Sequence, residues 1–128
     1  MITRDDYFMG RDITHKSEMT PEISSNAGRT IERVNKLLAF FGESRKVTSG
    51  WRPPSLNAKV PGAAKRSNHM IGAACDLEDE DGDLDEWCMD NLNVLEMIGL
   101  WLEHPASTKN WTHIQIFGPR SGKRVFYP

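Results

Sequence analysis

From Ala27 to Phe41 the apolar side chains recur at intervals of three and four, as Ala27, Ile31, Val34, Leu38 and Phe41, with polar residues between them. That period predicts an amphipathic helix, and Gly42 supplies its stop. The pattern then changes. Val47-Thr48 predicts a short strand leading into Ser49-Gly50-Trp51-Arg52-Pro53-Pro54, where a glycine and two prolines end regular structure. The irregular stretch runs on to Lys65, and long loops in small domains tend to carry function, so residues 50–66 are expected to form an active-site loop. Residues 1–20 are expected to form an N-terminal arm.

Further along, Ala73 to Leu77 reads as a second strand. Asp83 is placed to cap a helix, with Glu86 in capping-box spacing, and Leu84, Trp87, Cys88, Leu92, Leu95 and Ile98 form a single apolar face closed by Gly99. Leu100 to Leu102 and Thr112 to Phe117 read as strands, the latter alternating Thr112, Ile114 and Ile116 against His113, Gln115 and Phe117. Strands and helices mixed without a regular β-α-β rhythm predict an α+β fold, a small antiparallel sheet flanked by helices. The 128 residues suit one domain, 1–128.

Charge and cysteine content narrow the partners. A formal charge of -2, with both signs mixed along the chain, gives no field favouring nucleic acid or a membrane surface. The two cysteines, Cys75 and Cys88, lack metal or redox spacing and are expected as buried free thiols, consistent with a reducing compartment. No apolar run follows Met1 as a signal peptide requires, so synthesis in the cytoplasm is expected.

The chemistry concentrates in Ser67-Asn68-His69-Met70-Ile71-Gly72-Ala73-Ala74-Cys75-Asp76 and in Trp111-Thr112-His113. A catalytic zinc ion takes three protein ligands drawn from His and Asp/Glu and leaves its fourth position to water. His69, Asp76 and His113 are that set. Gly72 lets the backbone turn sharply behind His69. Asp76 follows on a strand of Ala, Cys and Leu, where an ionised carboxylate is costly to bury unless a cation balances it. His113 sits beside Trp111, Ile114 and Ile116 in what reads as a buried strand. Metal-dependent hydrolysis with one Zn2+ per chain is the expectation.

These residues resemble the M15-type zinc peptidases, the D-Ala-D-Ala carboxypeptidase and L-alanyl-D-glutamate endopeptidase group that shares a fold with the Hedgehog signalling domain. The pattern S-x-H-x-x-G-x-A-x-D matches Ser67, His69, Gly72, Ala74 and Asp76; W-x-H matches Trp111 and His113; S-G-x-R matches Ser49, Gly50 and Arg52. The resemblance spans Val47 to Ile116. It implies zinc held by His69, Asp76 and His113, and cleavage of a peptide bond in bacterial peptidoglycan, as a D-Ala-D-Ala carboxypeptidase or an L-Ala-D-Glu endopeptidase. Arg52, whose fork of donors matches carboxylates, becomes the candidate for a substrate carboxylate or the oxyanion. Ser67, Trp111 and Gln115 are expected to line the substrate site beside it. The short chain looks most like bacteriophage members of endolysin type, monomeric and acting on the wall after release or as part of a virion.

At the general base the chain departs from the family pattern. Many relatives carry Glu or Asp three residues before the last histidine, or a second histidine two before it; here Asn110 and Trp111 stand there. Glu103, at a strand end in a Trp-rich setting that would raise its pKa, is the expected base, with His104 as second candidate. Should neither reach the water, the alternative is a non-catalytic zinc-containing phage structural or wall-binding module; a hydrolase of some other amide is a third option. The acidic run Glu78 to Glu86 reads as a solvated turn and helix start rather than a calcium loop, since Leu77 and Cys88 occupy ligand positions. Trp87 and Trp101 read as core, Trp51 and Trp111 as walls of the site, and His15 as surface.

Overall fold

The expected helix begins earlier than its apolar period, at Pro21. Thr20 accepts a hydrogen bond from the Ile23 amide, proline suits the first helical position, and Gly42 closes the helix in the left-handed conformation. The computed structural model describes Met1–Pro128. Its elements are α1 (Arg4–Phe8), α2 (Arg11–Thr14), α3 (Pro21–Phe41), β1 (Val47–Ser49), α4 (Pro54–Asn57), β2 (Ala74–Asp79), α5 (Asp83–Asp90), α6 (Leu92–Ile98), β3 (Trp101–Glu103), β4 (Asn110–Gln115) and β5 (Val125–Phe126). Short 3-10 turns lie at Lys16–Glu18, Asn68–Ile71 and Pro105–Ser107.

The five strands form one sheet in the order β1-β2-β4-β3-β5. The expected α+β fold is observed, and β1, β2, β4 and β3 pair antiparallel. β5, which carries only two residues of pattern, adds a parallel edge to β3. Period-two alternation divides the sheet into two chemically different faces. Val47, Cys75, Leu77, Leu102 and Ile114 are buried with Val34, Leu37, Leu84 and Leu95 in the core, each large apolar side chain contributing roughly 1.5–3 kcal/mol. Asp76 and its partner across the ladder, His113, alternate with these core residues and share the opposite face.

Four expectations are corrected. The first twenty residues are not an arm: Ile2, Tyr7 and Phe8 are buried in the core, and the Tyr7 hydroxyl donates to the Ala74 carbonyl. The helix expected to run unbroken to Gly99 is two helices. Asn91 donates its side-chain amide to the Trp87 carbonyl, the acceptor the next helical turn would use, and its backbone leaves the helical region. Asp83 does not cap α5. The buried Asp79 does, accepting from the Leu84 and Asp85 amides with its two oxygens. Asp79 and Asp85 are therefore enclosed, while Glu80, Asp81, Asp83 and Glu86 stay in solvent as expected. Trp51, finally, is fully enclosed against Phe8, its indole donating to the Met70 carbonyl, and Trp101 is only half-buried, whereas Trp87 packs against the core as expected. Both cysteines are free and buried, and burial pushes the Cys88 thiol up to about 12. No helix is long and apolar enough to cross a membrane.

Candidate metal centre

His69 is presented by the 3-10 turn Asn68–Ile71, capped by the Ser67 hydroxyl, which accepts from the His69 N–H at 3.2 Å. Gly72 ends the turn at φ 75°, where an added Cβ would stand 2.8 Å from the Ile23 carbonyl oxygen, so the position admits only glycine. The turn delivers the ring beside β2. There His69 Nδ1 donates to the Gly50 carbonyl at 2.8 Å, leaving Nε2 to face Asp76. Gly50 cannot be replaced either, because a Cβ would run into the backbone of Tyr7.

His113 reaches the same point from β4, directly across the ladder from Asp76. Its Nε2–H donates to Gln115 Oε1 at 2.9 Å, and Gln115 is itself oriented by donating to the Phe117 carbonyl at 2.8 Å. Nδ1 is thus the nitrogen of this ring left to face Asp76, donating to it here and free to ligate an ion once its proton is given up. Both of these nitrogens face one carboxylate: His69 Nε2 lies 3.3 Å from Asp76 Oδ2 and His113 Nδ1 lies 2.8 Å from Asp76 Oδ1. One ligand atom from each residue falls within 4.8 Å of the others. Two donors about 2.0–2.1 Å from a tetrahedral ion stand roughly 3.3 Å apart, as His69 and Asp76 do. With both tautomers set from behind by acceptors, the residues fit a zinc ion.

The electrostatics agree with a cation site. Burial alone would raise the Asp76 pKa, but hydrogen bonds from His113 and His69 overturn it and hold the carboxyl well below the usual range. For His113 burial disfavours the charged ring, and the adjoining Asp76 outweighs that, raising its pKa. Metal ligands must be deprotonated, so Asp76 is ready and the imidazoles give up their protons when an ion binds.

The other expected site residues divide. Glu103 extends the β3–β4 register past Leu102↔Ile114, which sets it beside His113 on the metal face; burial raises its pKa, and it feels the charges of His113, Asp76 and His69. His104 is engaged elsewhere, accepting from the Ala106 amide and stacking on Tyr127 at 4.5 Å between centroids. Arg52 sits at the β1 edge, donating to Ser49 Oγ and Asn57 Oδ1, with its amide bonded to the His69 carbonyl. Trp111 is half-buried opposite Glu78, on the His113 face. Ser67 and Gln115 do other work than expected: the hydroxyl caps the His69 turn, and the Gln115 amide is buried with both ends engaged in holding His113. The Gly50 carbonyl and Phe126, whose ring packs edge-on to His113 at 6.1 Å, were not foreseen. A backbone acceptor leaves no mark in residue type.

The chain matches the Peptidase M15 family over residues 7–115. It belongs to the M15 peptidases. The matched span holds all three candidate ligands, Arg52 and Glu103, and most of the N-terminal helices that pack into the core. No curated protein and no solved structure matches the chain. As an M15 peptidase it is a hydrolase; M15 peptidases in general depend on zinc and act on peptidoglycan peptides, and His69, Asp76 and His113 are the group that could hold the metal here.

Proposed function

We propose that this M15 peptidase is a zinc enzyme that cleaves one peptide bond in the stem peptides of bacterial peptidoglycan, as a D-Ala-D-Ala carboxypeptidase or an L-Ala-D-Glu endopeptidase, within a phage-type lytic protein. The observation that carries this reading is the convergence of two tautomer-locked imidazoles on Asp76. A zinc ion bound there supplies Lewis acidity, bringing the pKa of a coordinated water from about 15.7 to about 7 and polarising a carbonyl. His69, Asp76 and His113 would hold that ion, and Gly50 and Gln115 keep the two rings turned towards its place. Glu103, on the same face with a raised pKa, takes the proton of the attacking water and returns it to the departing amine. Arg52 meets a carboxylate of the peptide at the β1 edge, and Trp111, paired with Glu78, offers the peptide an aromatic surface on the same face.

Mass spectrometry of purified muropeptides incubated with zinc-loaded protein tests this directly. One new pair of fragments from a single bond is expected, absent after chelation and restored by zinc. Stoichiometric zinc without cleavage of muropeptides from several hosts would instead identify a non-catalytic wall-binding module.

A further inference from the structure

The segment Ser49–Arg52 does more than hold His69. The Trp51 carbonyl, between the Gly50 carbonyl that orients His69 and the Arg52 side chain, accepts a hydrogen bond from Arg11 Nη1 at 3.0 Å. This draws a guanidinium from α2, far away in sequence, to the same edge of the site. Arg52 lies alongside: its Nη2 is 3.4 Å from Ser49 Oγ, and Ser49 pairs with Asp76 across the β1–β2 ladder.

Neither arginine takes part in an ion pair, although both are half-buried. Partial burial lowers the Arg11 pKa and the Arg52 charge lowers it further. Such an arrangement is unfavourable until an anion joins it. Donors are left over for one: of five N–H groups each, Arg52 commits two, to Asn57 and Ser49, and Arg11 commits one, to Trp51. Packing alone does not account for the pair, since the Trp51 carbonyl needs one donor and not two cations.

We infer that Arg11 and Arg52 together form a carboxylate-binding subsite, in which Arg11 determines specificity by requiring a free carboxylate on the peptide next to the bond being cut. The inference rests on the reading of the site as a stem-peptide peptidase and names the substrate feature that reading left open. Two stem-peptide carboxylates qualify, the α-carboxylate of γ-linked D-glutamate and the C-terminal carboxylate of D-alanine.

Four versions of L-Ala-γ-D-Glu-L-Lys-D-Ala-D-Ala, with each of those carboxylates free or amidated, test it on the zinc-loaded protein. The wild type is expected to prefer one free carboxylate by at least about tenfold in kcat/KM, as charge-assisted bidentate bonds are roughly twice as strong as neutral ones. In Arg11→Gln that preference falls to within about twofold, mainly through KM, with zinc content unchanged; Arg11→Lys, which keeps the charge and can reach Trp51, retains part of it. A purely structural arginine gives another result: both forms slow by the same factor, which overturns the inference, as does a wild type indifferent to amidation. Calorimetric binding of the same four peptides separates this from the reading of the activity. If none is cut, the peptidase reading fails, yet binding that prefers a free carboxylate, loses the preference in Arg11→Gln and keeps part of it in Arg11→Lys sustains the subsite. Equal binding of all four, or none, ends it.

Discussion

Asp76 and Asp85 are two enclosed carboxylates on neighbouring elements, and burial pushes both pKa values up. Their fates are opposite. Asp76 meets two imidazole nitrogens at 2.8 and 3.3 Å and stays ionised well below the usual range. Asp85 accepts from the Thr108 hydroxyl with one oxygen, leaves Oδ1 without a partner, faces Asp79 and Glu103, and is raised to about 6. Desolvation is common to both, so the neighbours decide which carboxylate is fit to bind a metal and which is a liability to the fold.

The largest way to break the contrast is to remove the charge that the imidazoles face. Asp76→Ala is expected to abolish zinc retention and hydrolysis together, because His69 and His113 alone leave a two-ligand site. Zinc content by atomic emission and muropeptide cleavage check both, and full cleavage by a metal-free variant would refute the site. Next in size, Glu103→Gln keeps the shape of the third carboxylate on that face but not its basicity. It is expected to lower kcat about 10²- to 10⁴-fold with zinc content unchanged. An unaltered pH-rate profile in that variant would assign the base elsewhere.

That contrast also marks what the chain discloses about itself. The three candidate ligands were legible because zinc limits residue types and because Asp76 stands among Ala, Cys and Leu, where its charge needs a reason. The central strands were legible too, their alternation separating His113 from Ile114. The partner each polar side chain chooses was not. Asn91 splits a continuous apolar face by bonding its own helix, and Asp79 caps a helix whose start suggested Asp83. Tyr7 and Phe8 look like part of a short polar stretch until Gly50 and Trp51 close over them. Gln115 illustrates the same limit at the site: strand period put it on the right face, but only the Phe117 carbonyl shows that its amide serves His113.

A smaller effect is expected there. Gln115→Leu removes the acceptor that keeps Nε2 protonated and Nδ1 free, and zinc affinity should fall about 10- to 100-fold, the usual cost of an outer-shell partner. Competition with a chromophoric chelator reads it, and Gln115→Glu, which retains the acceptor, should recover most of the loss. Equal weakening in both variants would mean that packing, not tautomer control, is what Gln115 contributes.

The smallest expected effect is on the other carboxylate and is one of stability. Asp85 has a folded pKa of about 6 against 3.8 for the free group, so the native state binds the extra proton. Stability therefore falls as pH rises from about 3.8 to about 6, and the full penalty applies at pH 7. Asp85→Asn keeps an acceptor for Thr108 and removes the charge opposite Asp79 and Glu103. It is expected to stabilise the fold by about 1–2 kcal/mol at pH 7, a rise in Tm of roughly 3–6 °C, narrowing towards zero near pH 4. Thermal melts of both proteins across that range check the sign. A difference independent of pH would show that the unpaired Oδ1 is not what burdens α5, and that Asp85 differs from Asp76 in position alone.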